Sequence, residues 1–212
     1  MALEQPGPYP VRFSIDYPES SRRLTTFFRL LLAIPILIVL GLISGAPLSD
    51  DVTDSQWTTP LIAGGLVWIP TLLMILFRRK YPRWWFDWNL ELTRFVTRVY
   101  AYLMLLQDDY PSTDEQQGVH LDIPYPDAEG QLNRFLPLFK WILAIPHYIA
   151  LAVIGTLAVA VTVIAWFAIL IAGRYPRELF LFVEGVFRWV LRVGAYAFLL
   201  TTDRYPPFRF GE

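Results

Sequence analysis

The sequence predicts an all-α integral membrane protein: four transmembrane helices in two tandem hairpin repeats, two cytoplasmic interfacial amphipathic helices, and short cytoplasmic β-strands. Three observations carry that expectation. Long apolar stretches run over residues 24–43, 60–77 and 135–172; basic residues gather at their borders; and the order of segments in the first half returns in the second. A 55% hydrophobic content with a mean hydropathy of +0.40 is more apolar than an ordinary soluble domain of this size.

Taken in chain order, the first 23 residues are polar and carry acidic as well as basic groups. That is unlike the basic-then-apolar layout of a cleaved signal peptide, so the first span is expected to act as its own insertion signal. Residues 11–17 alternate apolar and polar as a half-buried strand does. Residues 24–43 and 60–77 are each about one bilayer-spanning helix long, and the loop between them carries Asp50, Asp51 and Asp54. From residue 84 to 106, Trp85, Trp88, Leu92, Phe95, Val99, Tyr102 and Leu106 recur at helical spacing, beside a charged stripe of Glu91, Arg94 and Arg98. Residues 119–125 alternate again. The 38 residues from Phe135 to Ala172 are too many for one span at about 1.5 Å per residue, and Gly155-Thr156 near the middle suits a turn between two. A second charged helix follows over 178–200, with Glu184, Arg188 and Arg192 at i, i+4 and i+8.

Charge sets the expected topology. Arg12, Arg22, Arg23 and Arg29 precede the first hairpin, and Arg78, Arg79, Lys80 and Arg83 follow it; Arg134 and Lys140 precede the second, and Arg174 and Arg177 follow it. By the positive-inside rule both termini are cytoplasmic and both hairpin tips point out. If the charged helices crossed as well, each half would have three spans and the second half would be inverted. That alternative places Arg134, Lys140, Arg174 and Arg177 outside, against the rule. It also places two arginines per helix in lipid, at about 2.5–3.5 kcal/mol each near the midplane.

The halves, residues 1–112 and 113–212, correspond in detail. Val11 to Pro18 matches Val119 to Pro126, and the segment from Arg29 to Pro35 matches that from Lys140 to Pro146. Arg94, Arg98, Tyr102 and Asp109 match Arg188, Arg192, Tyr196 and Asp203 at a constant offset of 94. A tandem duplication follows. The two alternating segments are expected to pair with each other or with the Tyr-Pro segments after the charged helices, because a lone strand leaves its backbone groups unsatisfied. Tyr-Pro occurs seven times, always at an element border, where proline stops regular structure and tyrosine suits a membrane interface. The paired apolar hairpins, the Leu-Ala-Ile-Pro segments, Tyr-Pro-Arg after the second span and Asp-Asp-Tyr-Pro after the charged helix resemble the DUF4389 family of bacterial membrane proteins, in two copies. The resemblance implies residence in a bacterial cytoplasmic (inner) membrane and brings no assigned activity or catalytic residues.

Chemistry is sparse. The net charge of −1 favours no nucleic acid, and the absence of cysteine excludes disulfides, thiolate metal sites and thiol catalysis. No phosphate loop, HExxH or nucleophile elbow occurs, and neither cofactor nor metal is expected. His147, directly after Pro146, is the one titratable group well inside a span, and Ile36 stands at its counterpart. Asp109 and Asp203, with Asp108 beside the first, suit turn capping, pairing with the basic borders or cation binding. Arg94, Arg98, Arg188 and Arg192 are candidates for holding anionic lipid headgroups, with Trp84, Trp85, Trp88 and Trp189 as interface anchors. The expected function is a non-catalytic membrane protein, a scaffold or accessory subunit. Its partners are membrane lipids, anionic ones included, and a protein partner or second copy. A small transporter or channel built on the duplication is the alternative.

Overall fold

The two alternating segments find each other. In the computed structural model, which describes residues 9–44, 68–113, 115–130 and 132–211, strands β1 (Arg12–Ile15) and β2 (Val119–Asp122) form a two-stranded antiparallel sheet. Phe13 faces Leu121 and Ile15 faces Val119 across it. Period-two alternation buries these four side chains on one face and leaves Arg12, Ser14, His120 and Asp122 on the other. An isolated two-stranded unit is marginal, so the sheet depends on what covers its apolar face.

Two helices of equal length do so. Helix α4 (Arg83–Leu103) and helix α7 (Arg177–Ala197) each have 21 residues and each start directly after a Tyr-Pro pair, where proline's fixed φ and missing N–H suit a helix boundary. Helix α4 packs on β2 and α7 on β1. Their opposite faces meet a layer of apolar helices: α1 (Arg23–Phe27), α2 (Arg29–Ser44), α3 (Trp68–Leu73, continuing as a π-helix over Met74–Arg78), α5 (Pro137–Leu143) and α6 (Ile145–Ala172), in which α2 packs on α4, α5 and α6 pack on α7, and α1 packs on α2 and α6. Leu92, Phe95, Val96, Val99 and Tyr102 of α4 close on Ala33, Ile36 and Leu40 of α2. Trp189, Val193, Tyr196 and Ala197 of α7 close on the α5–α6 junction at Ala144. Three layers result: sheet, amphipathic helices, apolar helices.

The apolar layer has a bare outer face. Leu30, Leu31, Ile38 and Leu42 on α2, and Ile149, Val153, Leu157, Ile164, Phe167 and Ile171 on α6, are all exposed. Only 17% of the most apolar window of α6 is buried, which distinguishes it from the core helix of a globular domain. At 28 residues and about 42 Å, α6 is long and apolar enough to cross a membrane.

The expected second hairpin is not there. Residues 145–172 form one continuous helix through Gly155 and Thr156, so the four-span count gives way to one helix of spanning length among the described residues. Thr156 Oγ1 donates to the Ala152 carbonyl at 2.8 Å, a bond made inside a helix, and Gly155 stands in open space where no neighbour forces a bend. The actual break falls earlier, at Ala144, because Pro146 has no N–H and its ring crowds the preceding turn. In the first half, α2 spans 16 residues and the 68–78 segment is shorter still. The expected acidic loop with Asp50, Asp51 and Asp54, and the start of the second span, lie outside the described residues.

Candidate functional site

The charged faces of α4 and α7 both turn toward the sheet, and each clasps the strand of the other half. Arg94 Nε donates to the Leu121 carbonyl at 3.0 Å, and Arg188 Nε donates to the Phe13 carbonyl at 3.1 Å. Glu91 and Glu184 hold these arginines as i,i+3 and i,i+4 partners, and Glu184 also accepts from the Ile15 N–H at 3.2 Å. The tyrosines of the Tyr-Pro pairs repeat the pattern. Tyr17 Oη donates to the Tyr175 carbonyl, and Tyr125 Oη to the Tyr81 carbonyl. Burial pushes the Tyr175 hydroxyl up to about 12, with Thr162 opposing it, so it stays protonated at neutral pH.

Of the other sequence-singled arginines, Arg98 donates to the Ser112 carbonyl at 3.0 Å. Arg192 is 1% exposed and donates to the carbonyls of Arg209 and Gly211 at 3.3 and 2.6 Å. Arg188 reaches the Phe210 carbonyl as well, so residues 208–211 lie across this face of α7. Gly185 makes room for them: a Cβ there would stand 2.8 Å from that of Phe210. In the first half Glu91 occupies the corresponding position, and an open groove of about 500 Å³ remains, lined by Arg12, Arg94, Arg98 and His120 among others. His120 Nε2 lies 3.1 Å from Asp16.

The expected anchors divide. Trp84 is 69% exposed and Trp88 is exposed, whereas Trp85 is half-buried, donating to Thr71 Oγ1 at 2.8 Å and stacking on Trp88. Trp189 is buried and so does not stand at a surface. Its Nε1 donates to His147 Nδ1 at 3.1 Å, while the imidazole stacks on Phe208 with centroids 3.9 Å apart. Residue type on a charged helix makes Trp189 a candidate anchor, but the face of α7 that carries it meets the start of α6 rather than lipid. His147 is fully buried in this aromatic cluster.

The expected pairing of aspartates with basic border residues takes the form of two ion pairs whose burial the sequence did not indicate. Lys140 is fully buried and lies 2.7 Å from Asp203, and Arg29 pairs with Asp108. Each cation adds carbonyl acceptors, Thr202 for Lys140 and Tyr102 and Gln107 for Arg29, and each sits over a tyrosine ring, Tyr196 and Tyr102 respectively. Asp108, not Asp109, thus stands to Arg29 as Asp203 stands to Lys140. A left-handed residue ends each charged helix, Leu105 and Leu200, and the offset between the halves becomes 95 from there on. The available signal was a lone basic residue inside an apolar run, since such a charge is almost never buried unpaired. Among the described residues no three His, Asp or Glu side chains gather as a metal would require.

Residues 137–209, from α5 to the segment lying across α7, match the profile of a domain of unknown function, DUF4389. No curated protein and no solved structure matches the chain.

Proposed function

We propose that this chain is a non-catalytic integral membrane protein of the bacterial cytoplasmic membrane, a lipid-associated scaffold or accessory subunit, built from two tandem copies of one unit. The observation that carries the reading is the layering: a polar sheet face on one side and a bare apolar face on α2 and α6 on the other. An exposed apolar surface of that extent is costly in water and favourable in lipid. The duplication is supported by contacts that recur at matched positions: Arg94 with Arg188, Tyr17 with Tyr125, Arg29 with Lys140 and Asp108 with Asp203. Left-handed residues at Arg79 and Gly173 end the corresponding helices, 94 residues apart.

Orientation follows from the border of α6. Arg23 donates to the Ile171 carbonyl at 3.0 Å, which gathers Arg22, Arg23, Arg174 and Arg177 at one end of the helix. That basic concentration favours the cytoplasmic side, with the sheet beside it. The test is alkaline carbonate extraction of membranes containing the full chain, followed by detergent purification and mass spectrometry of what travels with it. The protein is expected in the pellet, carrying lipid or a partner. Release into the supernatant would refute membrane integration, and turnover of a co-purified small molecule would refute the non-catalytic reading.

A further inference from the structure

Where α6 ends and α7 begins, a groove of about 530 Å³ joins two kinds of surface. Its floor is apolar and small-sided: Ala168 and Ala172, one helical turn apart, leave a slot on a helix whose neighbouring positions present exposed Phe167 and Ile171. Tyr17 and Tyr175 form its wall. Its rim is cationic. Arg174 and Arg177 are both exposed, and neither guanidinium makes a hydrogen bond or ion pair among the described residues, unlike Arg94, Arg188 and Arg29. Arg177 lies 5.9 Å from the Tyr17 ring, held at the mouth.

We infer that this groove binds one phospholipid with an anionic headgroup, the phosphate between Arg174 and Arg177 and the upper acyl chain over Ala168 and Ala172. The inference rests on the lipid-associated reading above. Charge complementarity selects the headgroup, and the apolar floor on a bare, spanning-length helix selects a lipid over a soluble anion, which has no use for it. The corresponding border of the first half also pairs a basic residue with a tyrosine, Arg83 at 5.6 Å from the Tyr125 ring. There, however, Met74 and Arg78 stand 94 positions before Ala168 and Ala172, in a π-helix, so the small-sided floor is not repeated.

The test is native mass spectrometry of the full chain in mild detergent, titrated with phosphatidylglycerol or phosphatidylcholine. The parent should prefer phosphatidylglycerol. Arg174→Gln with Arg177→Gln should weaken phosphatidylglycerol binding about thirtyfold, to the level of phosphatidylcholine. Ala168→Leu, which fills the floor and leaves the charges in place, should weaken both lipids. A parent without preference for the anionic lipid, or a double Gln variant that binds it as the parent does, overturns the groove while leaving the lipid-associated reading standing. A parent that binds neither lipid overturns both.

Discussion

Asp203→Asn is the most informative single substitution. It leaves Lys140, fully buried, facing a neutral amide in place of the carboxylate 2.7 Å away. Breaking one side of a buried ion pair costs about 3–5 kcal/mol, because the remaining charge is left without its partner in a poorly solvated site. Asp203 retains some exposure, and Lys140 keeps the Thr202 carbonyl and the Tyr196 ring, so the lower end applies, about 3 kcal/mol. For a chain of this length that corresponds to a fall in Tm of about 6–12 °C, measurable by differential scanning fluorimetry in detergent. Glu91→Gln is the internal control. Its pair with Arg94 is solvent-exposed, and such pairs contribute at most about 1 kcal/mol. Adding Lys140→Met to Asp203→Asn removes the stranded charge and should recover most of the loss. The reasoning is refuted if Asp203→Asn shifts Tm no more than Glu91→Gln, or if the double variant is less stable than Asp203→Asn alone.

Asp108→Asn should fall by a similar amount, since it strands the buried Arg29 in the matching arrangement. Gly185→Ala would press a Cβ against Phe210, and limited proteolysis should cut residues 205–211 faster than in the parent; an unchanged rate would mean the segment does not rest on Gly185. Trp189→Phe leaves His147 Nδ1 without its donor and should cost about 1–3 kcal/mol by denaturant titration, whereas Trp84→Phe, on an exposed ring, should cost little. Gly173→Ala forces a Cβ into the left-handed region at φ +70° and should cost about 1–2 kcal/mol in the same titration.

The strands, their pairing and the two charged helices were legible because each has one strong period and one clear boundary, such as Tyr81-Pro82 before α4 and Tyr175-Pro176 before α7. The second hairpin was misread because Gly155-Thr156 is a turn signal only where backbone groups can find other partners. In an apolar run, continuing the helix satisfies them all. The burial of Arg98, Arg192 and Trp189 was invisible for a different reason. A charged stripe facing water and one facing protein have the same spacing, and only the acceptor carbonyls, Ser112 for Arg98 and Arg209 and Gly211 for Arg192, reveal which it is. The single-residue slip near Leu105 and Leu200 likewise hid Asp108 behind its neighbour, since both positions are aspartate.

The exchange of clasps between halves bears on how the chain is made. The arginine that grips the Phe13 carbonyl lies 175 residues further along the chain, whereas Arg94 reaches Leu121 across only 27. At a synthesis rate of about 5–20 residues per second β1 waits roughly 10–35 s for its covering helix. Its sheet partner β2 is made sooner, so the clasp on β1 is the one that closes last. Neither unit can complete itself. Separating residues 1–112 from residues 113–212 as two polypeptides should yield fragments that are orderly only when produced together.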